Sequence, residues 1–177
     1  MRMIFTLLLS TFISFGAIAD DVPAVGEPAP GFRLQDQYGE WHDLKDYRGT
    51  WLAVYFYPKD QTPGCTREAC NFRDNIFAFK AIGAEIVGVS LDDVDSHKKF
   101  SDKYKLPFVI LADEGGVMAE DYGVLRDYMA IQIASRQSFL VNPEGVIVKH
   151  YEDVDPDTHT QDVLADLEIL MSKSQEG

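Results

Sequence analysis

The apolar run Trp51-Leu-Ala-Val-Tyr-Phe-Tyr57, followed eight residues later by Cys65, constrains this chain more than any other stretch. The run is β-branched and aromatic, bounded by Gly49 before and Pro58 after, a pattern that suits a strand covered on both faces. A short polar loop closed by Thr62-Pro63-Gly64 follows. From Cys65 the apolar positions Cys65, Ala69, Phe72, Ile76 and Phe79 recur at helical spacing and form one stripe. The spacing predicts a helix from Cys65 to about Lys80, ending before Gly83. Cys65 falls in its first turn and on its core face, whereas Cys70 lies off the stripe.

A thiol in the first turn sits among unpaired N–H groups at the positive end of the helix dipole, which favours thiolate. Arg67, two residues on, adds a nearby cation. Five residues on a regular helix separate the two cysteines by about 140° and roughly 8–9 Å between Cα atoms. Disulfides rarely span more than ~7 Å, so the pair joins only if the helix unwinds locally. That spacing favours a redox cycle over a static staple. A staple remains the ordinary meaning of two cysteines in an exported chain, yet a loop this short stabilises little. Metal binding needs two further ligands, and His42, His97, His150 and His159 are scattered singly as surface or satisfied residues.

The segment Pro58-Lys-Asp-Gln-Thr62-Pro-Gly-Cys65, with Cys70 five residues on, resembles the active-site loop of peroxiredoxins. It is most similar to the atypical two-cysteine subgroup called bacterioferritin comigratory protein, or Q type. Arg136-Gln-Ser-Phe-Leu-Val-Asn-Pro-Glu-Gly145 is a second match, and the likeness runs from about Val25 to Met171. The resemblance implies an α/β protein of thioredoxin-like fold, with a mixed central β-sheet flanked by helices on both faces. It implies that Cys65 attacks a peroxide, is left as a sulfenic acid, and is resolved by Cys70 as an intramolecular disulfide. Thr62 would bind the peroxide oxygens, Arg136 would stabilise thiolate and transition state, and Pro58 would shield the sulfur. Their ordinary structural roles are a helix cap for Thr62, a solvated loop charge for Arg136, and a strand stop for Pro58. Glu68 is expected as an arginine partner or a helix-surface charge, without a catalytic role. The implied partners are a peroxide and a thioredoxin-like thiol reductant; no cofactor is implied, and the expected assembly is a monomer or weak dimer.

Length and charge limit the alternatives. The 177 residues suit a single domain, expected over 20–177, and a net charge of −13 disfavours nucleic acid or an anionic membrane as partner. Residues 1–19 differ in composition: Arg2 precedes an apolar run ending in Ala17-Ile18-Ala19, the pattern of a secretory signal peptide. Export across the inner membrane to the periplasm follows as an expectation, with no membrane attachment after cleavage.

In chain order, Phe32 to Leu44 predicts a short hairpin turning at Asp36 to Gly39, and Leu44 to Gly49 a connector. Strands are expected at 84–91 and 108–112, with helices at 96–104 and from Gly115–Gly116 to about Tyr122. A hairpin is expected from Ser138 to Tyr151 around Asn142-Pro-Glu-Gly145, and a last helix from Asp157 or Thr158. Alternating strands and helices define the α/β class. Leu125 to Ser135 departs from the peroxiredoxin pattern and is apolar enough to line a pocket wall or an interface. Two other functions fit less well. A protein-disulfide oxidoreductase would carry Cys-x-x-Cys at the helix start, which Cys65-Thr-Arg-Glu68 lacks; an exported binding domain would use the cysteines only as a staple.

Overall fold

The computed structural model describes residues 22–175, so the N-terminal leader expected at 1–19 lies outside the described residues. Five strands and a helical layer form the centre of the protein: β1 (Arg33–Asp36), β2 (Trp41–Asp43), β3 (Trp51–Phe56), β4 (Ala84–Ser90) and β5 (Val109–Ala112). Strands β8 (Gln137–Val141) and β9 (Ile147–Tyr151) complete a seven-stranded sheet in the order β2-β1-β5-β4-β3-β8-β9. Pairing is parallel across β3–β4–β5 and antiparallel elsewhere. The sheet is therefore mixed, as expected.

All six residues of β3 are buried, because alternate side chains serve two cores. Leu52, Val54 and Phe56 pack with Val87, Val89, Phe139 and the short helix α4 (Val117–Asp121) on one face. Ala53 and Tyr55 face the other layer, made by α1 (Pro63–Asp74), α2 (Ile76–Ala81), α3 (Val94–Tyr104) and α5 (His159–Gln175). Phe72, Phe79, Phe100, Val163 and Leu167 fill it.

One expectation needs correction. The helix after Cys65 does not run unbroken to Lys80: it begins at Pro63 and stops at Asn75, where φ is −104° and ψ 6°. The Asn75 side chain donates to the Asn71 carbonyl at 2.9 Å, and its own N–H turns to the carbonyls of the last turn. This local competition for backbone acceptors ends the helix, and α2 restarts at Ile76. The end of α1 is tied down from outside, by Asn71 Nδ2 donating to the Pro156 carbonyl at 2.9 Å and Arg73 Nη1 to the Tyr104 carbonyl at 2.7 Å.

The stretch Leu125–Ser135, for which no element was expected, folds as a separate hairpin of β6 (Leu125–Tyr128) and β7 (Ile131–Ala134). Its turn places Met129 at a positive φ of 55° and leaves Tyr128, Met129 and Ile131 exposed. Other elements match their expected places, including α3, whose N-cap Asp93 accepts from the Ser96 N–H at 2.7 Å. The β8–β9 turn closes through Asn142 Oδ1, which accepts from the Val146 N–H at 2.8 Å.

Candidate active site

The site forms where β3 ends and α1 begins. Pro58 leads from the strand into the loop, and Thr62 is the N-cap of α1 with Pro63 at its first position, where a missing N–H costs nothing. The Thr62 hydroxyl makes no capping bond; it donates to the Lys59 carbonyl at 2.9 Å. Its lone pairs remain free to accept. The first-turn amides of Gly64 and Cys65 have no intrahelical acceptor, so Cys65 lies where N–H groups converge.

Cys65 is 1 % exposed and packs among Tyr55, Ala69 and Phe72. Its polar partner comes from the neighbouring strand, because Gln137 at the start of β8 pairs with Phe56 at the end of β3. Arg136, between β7 and β8, extends Nη2 to Cys65 Sγ at 3.2 Å and pairs through Nη1 with Glu68 Oε2. Gly64 permits this approach, because a Cβ there would stand 3.2 Å from Arg136 Nη2. Burial lowers the Arg136 pKa, but the charges of Glu68 and Cys65 and hydrogen bonds to both outweigh it and hold the guanidinium above its ordinary range.

Glu68 is fully buried, and its Oε1 has no hydrogen-bond partner among the described residues. Burial raises its carboxyl to about 7 despite the pull of Arg136. The expectation of a helix-surface charge is thus wrong for Glu68, while that of an arginine partner holds in the geometry. Cys65 and Glu68 are three apart on one helix face, a spacing that marks shared direction but not depth. Tyr55 also ends in a buried hydroxyl without a partner. Burial, reinforced by Glu68 and Cys65, keeps that phenol well above its usual range. Behind it, His159 Nε2 pairs with Ser138 Oγ at 2.8 Å, and burial lowers the imidazole to about 4.

The loop itself is anchored from below. Asp60 accepts from Tyr57 Oη at 2.7 Å and Ser96 Oγ at 2.8 Å, and pairs with His97 Nδ1 at 2.9 Å. His97, fully buried, also faces the Leu111 carbonyl through Nε2 at 3.1 Å. The Asp60 N–H donates to Asp92 Oδ2 at 2.8 Å, and Gln61 adopts a φ of 59° on the way to Thr62. Nothing in the spacing of Asp60 and Ser96-His97 announced this network, which joins residues 36 and 37 positions apart.

Among the sequence candidates, then, Arg136 and Cys65 meet, and Thr62 stands at the same helix start. Cys70 does not meet Cys65: both thiols are free, α1 is continuous through them, and Cys70 is only partly buried. Arg67 turns away, donating from Nε to Asp157 Oδ1 at 2.8 Å across a solvent-exposed pair. It contributes no cation to the sulfur through that contact.

A buried sulfur, a fixed cation and converging N–H groups suit nucleophilic chemistry at a bond whose cleavage releases negative charge on oxygen. Comparisons with known proteins agree with that chemistry. Residues 25–150 match the AhpC/TSA family. The chloroplastic peroxiredoxin Q of Oryza sativa subsp. japonica is 42% identical over 146 residues, covering 82% of this chain and 67% of the relative. Peroxiredoxin Bcp of Bacillus subtilis is 38% identical over 156 residues, 84% of this chain and 98% of the relative. Among solved structures, a cysteine-to-serine mutant of PrxQ from Xylella fastidiosa superposes with a TM-score of 0.79 at 28% identity, covering 84% of this chain and 97% of that one. The Xanthomonas campestris bacterioferritin comigratory protein, described for its alkyl peroxide reduction activity, gives a TM-score of 0.74 at 34% identity, with 78% and 90% covered. The chain belongs to the AhpC/TSA family and is a peroxiredoxin of the Q/Bcp kind, a thiol peroxidase on a thioredoxin-like fold.

Proposed function

We propose that this peroxiredoxin reduces hydrogen peroxide and organic hydroperoxides at Cys65, resolves the product with Cys70, and is recycled by a thioredoxin-like reductant. The observation that carries the proposal is the 3.2 Å contact from Arg136 Nη2 to Cys65 Sγ at the start of α1. Attack by the thiolate breaks the O–O bond, leaving Cys65 as sulfenic acid and the distal fragment as water or alcohol. Arg136, the Thr62 hydroxyl and the first-turn amides are the groups that would receive the developing charge. Organic hydroperoxides are included because the Xanthomonas relative is described as an alkyl peroxide reductase.

Cys70 would then attack the sulfenic sulfur, forming the disulfide and expelling hydroxide. With the two cysteines on one continuous helix, roughly 8–9 Å apart at Cα, resolution requires the turns between them to open. A small thiol carrier would reduce the disulfide. The pattern at 1–19 supports export, so that carrier would be periplasmic; the N-terminal mass of the protein recovered from cells tests this, and an intact Met1 would exclude it.

The decisive experiment mixes reduced protein with hydrogen peroxide or cumene hydroperoxide in a stopped-flow instrument. Wild type should consume one equivalent rapidly and yield an intramolecular Cys65–Cys70 disulfide by mass spectrometry. Cys65→Ser should be inert; Cys70→Ser should react once and remain a sulfenic acid that dimedone traps. A reactive Cys65→Ser protein would overturn the proposal.

A further inference from the structure

Arg136 lends a single positive charge to two buried acids. Nη1 is held by Glu68 and Nη2 by Cys65 Sγ. Glu68 is fully buried, Cys65 is 1 % exposed, and Glu68 Oε1 has no partner. An ionised carboxylate with one oxygen unsatisfied in such a site is costly, and two anions sharing one cation are costlier. Among the described residues no second cation relieves the crowding, and Arg136 is the one charged group acting on Glu68. Of the titratable groups packed around the site, Tyr55 on β3 stays a neutral phenol and His159 on α5 a neutral imidazole.

We propose that Glu68 is the proton reservoir of this site, carrying a proton while Cys65 is thiolate and surrendering it when Cys65 becomes sulfenic acid. The inference rests on the reading of Cys65 as the attacking thiolate. The step balances without a proton from solvent. The Cys65 sulfur attacks the peroxide O–H oxygen, the S–O bond forms and the O–O bond breaks. Sulfur is oxidised by two electrons and the peroxide reduced. The hydroxyl proton stays on the sulfenic acid, the leaving RO⁻ becomes ROH, and Glu68 becomes a carboxylate paired with Arg136. After the disulfide is reduced, the Cys65 thiol proton returns to Glu68. Arg136 thus keeps one anionic partner throughout, first sulfur and then carboxylate. Burial places the Glu68 carboxyl near neutrality, the range in which a side chain can both release and recover a proton.

The test needs no substitution to begin. Infrared difference spectra of reduced minus peroxide-treated protein, with and without ¹³C-glutamate labelling, should show the C=O stretch of a protonated acid in the reduced form. One equivalent of peroxide should remove the band, ¹³C should shift it, and Glu68→Gln should lack it. In weakly buffered solution at neutral pH, an indicator dye should register no net proton uptake when wild type reacts. Glu68→Gln should take up one proton per Cys65 oxidised, to neutralise the leaving oxygen. A reduced protein without the band, or full proton uptake by wild type, overturns the reservoir. If dimedone still labels Cys65 in peroxide-treated Cys70→Ser, the peroxidase reading stands and only this inference falls; absence of any sulfenic acid in that variant brings down both.

Discussion

Two acids lie buried within nine positions of each other, each with a basic side chain beside it, and burial raises both carboxyls but wins at only one of them. Asp60 is met by Tyr57 Oη, Ser96 Oγ and the His97 ring within 2.9 Å. Burial pushes its carboxyl up, but His97 and the two hydroxyls outweigh that and hold it below the usual carboxylate range. Glu68 has Arg136 alone and one unsatisfied oxygen, and burial wins, taking it to about 7. Depth is similar; the number of donors differs. A fully satisfied carboxylate fixes the loop that leads to Thr62, whereas a half-satisfied one beside Cys65 is left able to change its charge.

The sharpest way to break this contrast is Arg136→Met, which strips the sulfur and Glu68 of their shared cation. The rate of peroxide reduction in single-turnover stopped flow should fall by about 10²–10³-fold, the usual effect of losing one preorganised donor. An unchanged rate would show that Arg136 is structural only. Next comes the loop anchor. His97→Leu leaves Asp60 buried without its ring partner and should cost roughly 3–5 kcal/mol in urea unfolding. Glu68→Gln, by contrast, replaces a carboxyl that burial keeps largely protonated with a neutral amide of similar shape and should cost far less; equal losses would erase the distinction.

The pH dependence of stability separates the two acids by sign. Glu68 titrates at 4.5 when unfolded and at about 7 when folded, so the native state holds the proton longer. Stability should therefore decline as pH rises between those values, by on the order of 3 kcal/mol at most, and Glu68→Gln should abolish the decline. Asp60, depressed on folding, contributes stability present above the unfolded value of 3.8 and lost as pH falls through its lower folded value. His97→Leu should blunt that acid limb. The smallest effect belongs to a pair on the surface. Arg67→Ala breaks a contact exposed by 55% and 62% on its two sides, and it should change stability by less than about 1 kcal/mol and leave the peroxide rate within error.

Much of the scaffold was legible before any coordinates. Tyr55 and its neighbours in β3 read as a doubly covered strand because alternate residues feed two cores. Cys65 was placed on the core face by helical spacing alone, and Arg136 by motif. What escaped were features decided by tertiary context. Asn75 ends α1 through a side-chain bond to Asn71, a competition that periodicity does not register. The β6–β7 hairpin turns at Met129, where neither glycine nor asparagine signals a positive φ. Glu68 reads as an arginine partner or a surface charge and His97 as a surface or satisfied residue, and residue type on an amphipathic helix does not choose between these. Their burial depends on Arg136 and Asp60 arriving from 68 and 37 positions away.

The stop at Asn75 gives the cysteine helix a hinge with a fixed post. Cys65 and Cys70 lie ahead of it, while Asn71 is moored to Pro156 and Arg73 to Tyr104. Uncoiling that draws the two sulfurs together would meet those moorings within a turn, before reaching α2 and the strand it covers. The oxidised chain could then rewind from an intact stub, and each catalytic round would disturb a few residues while the sheet beneath kept its register.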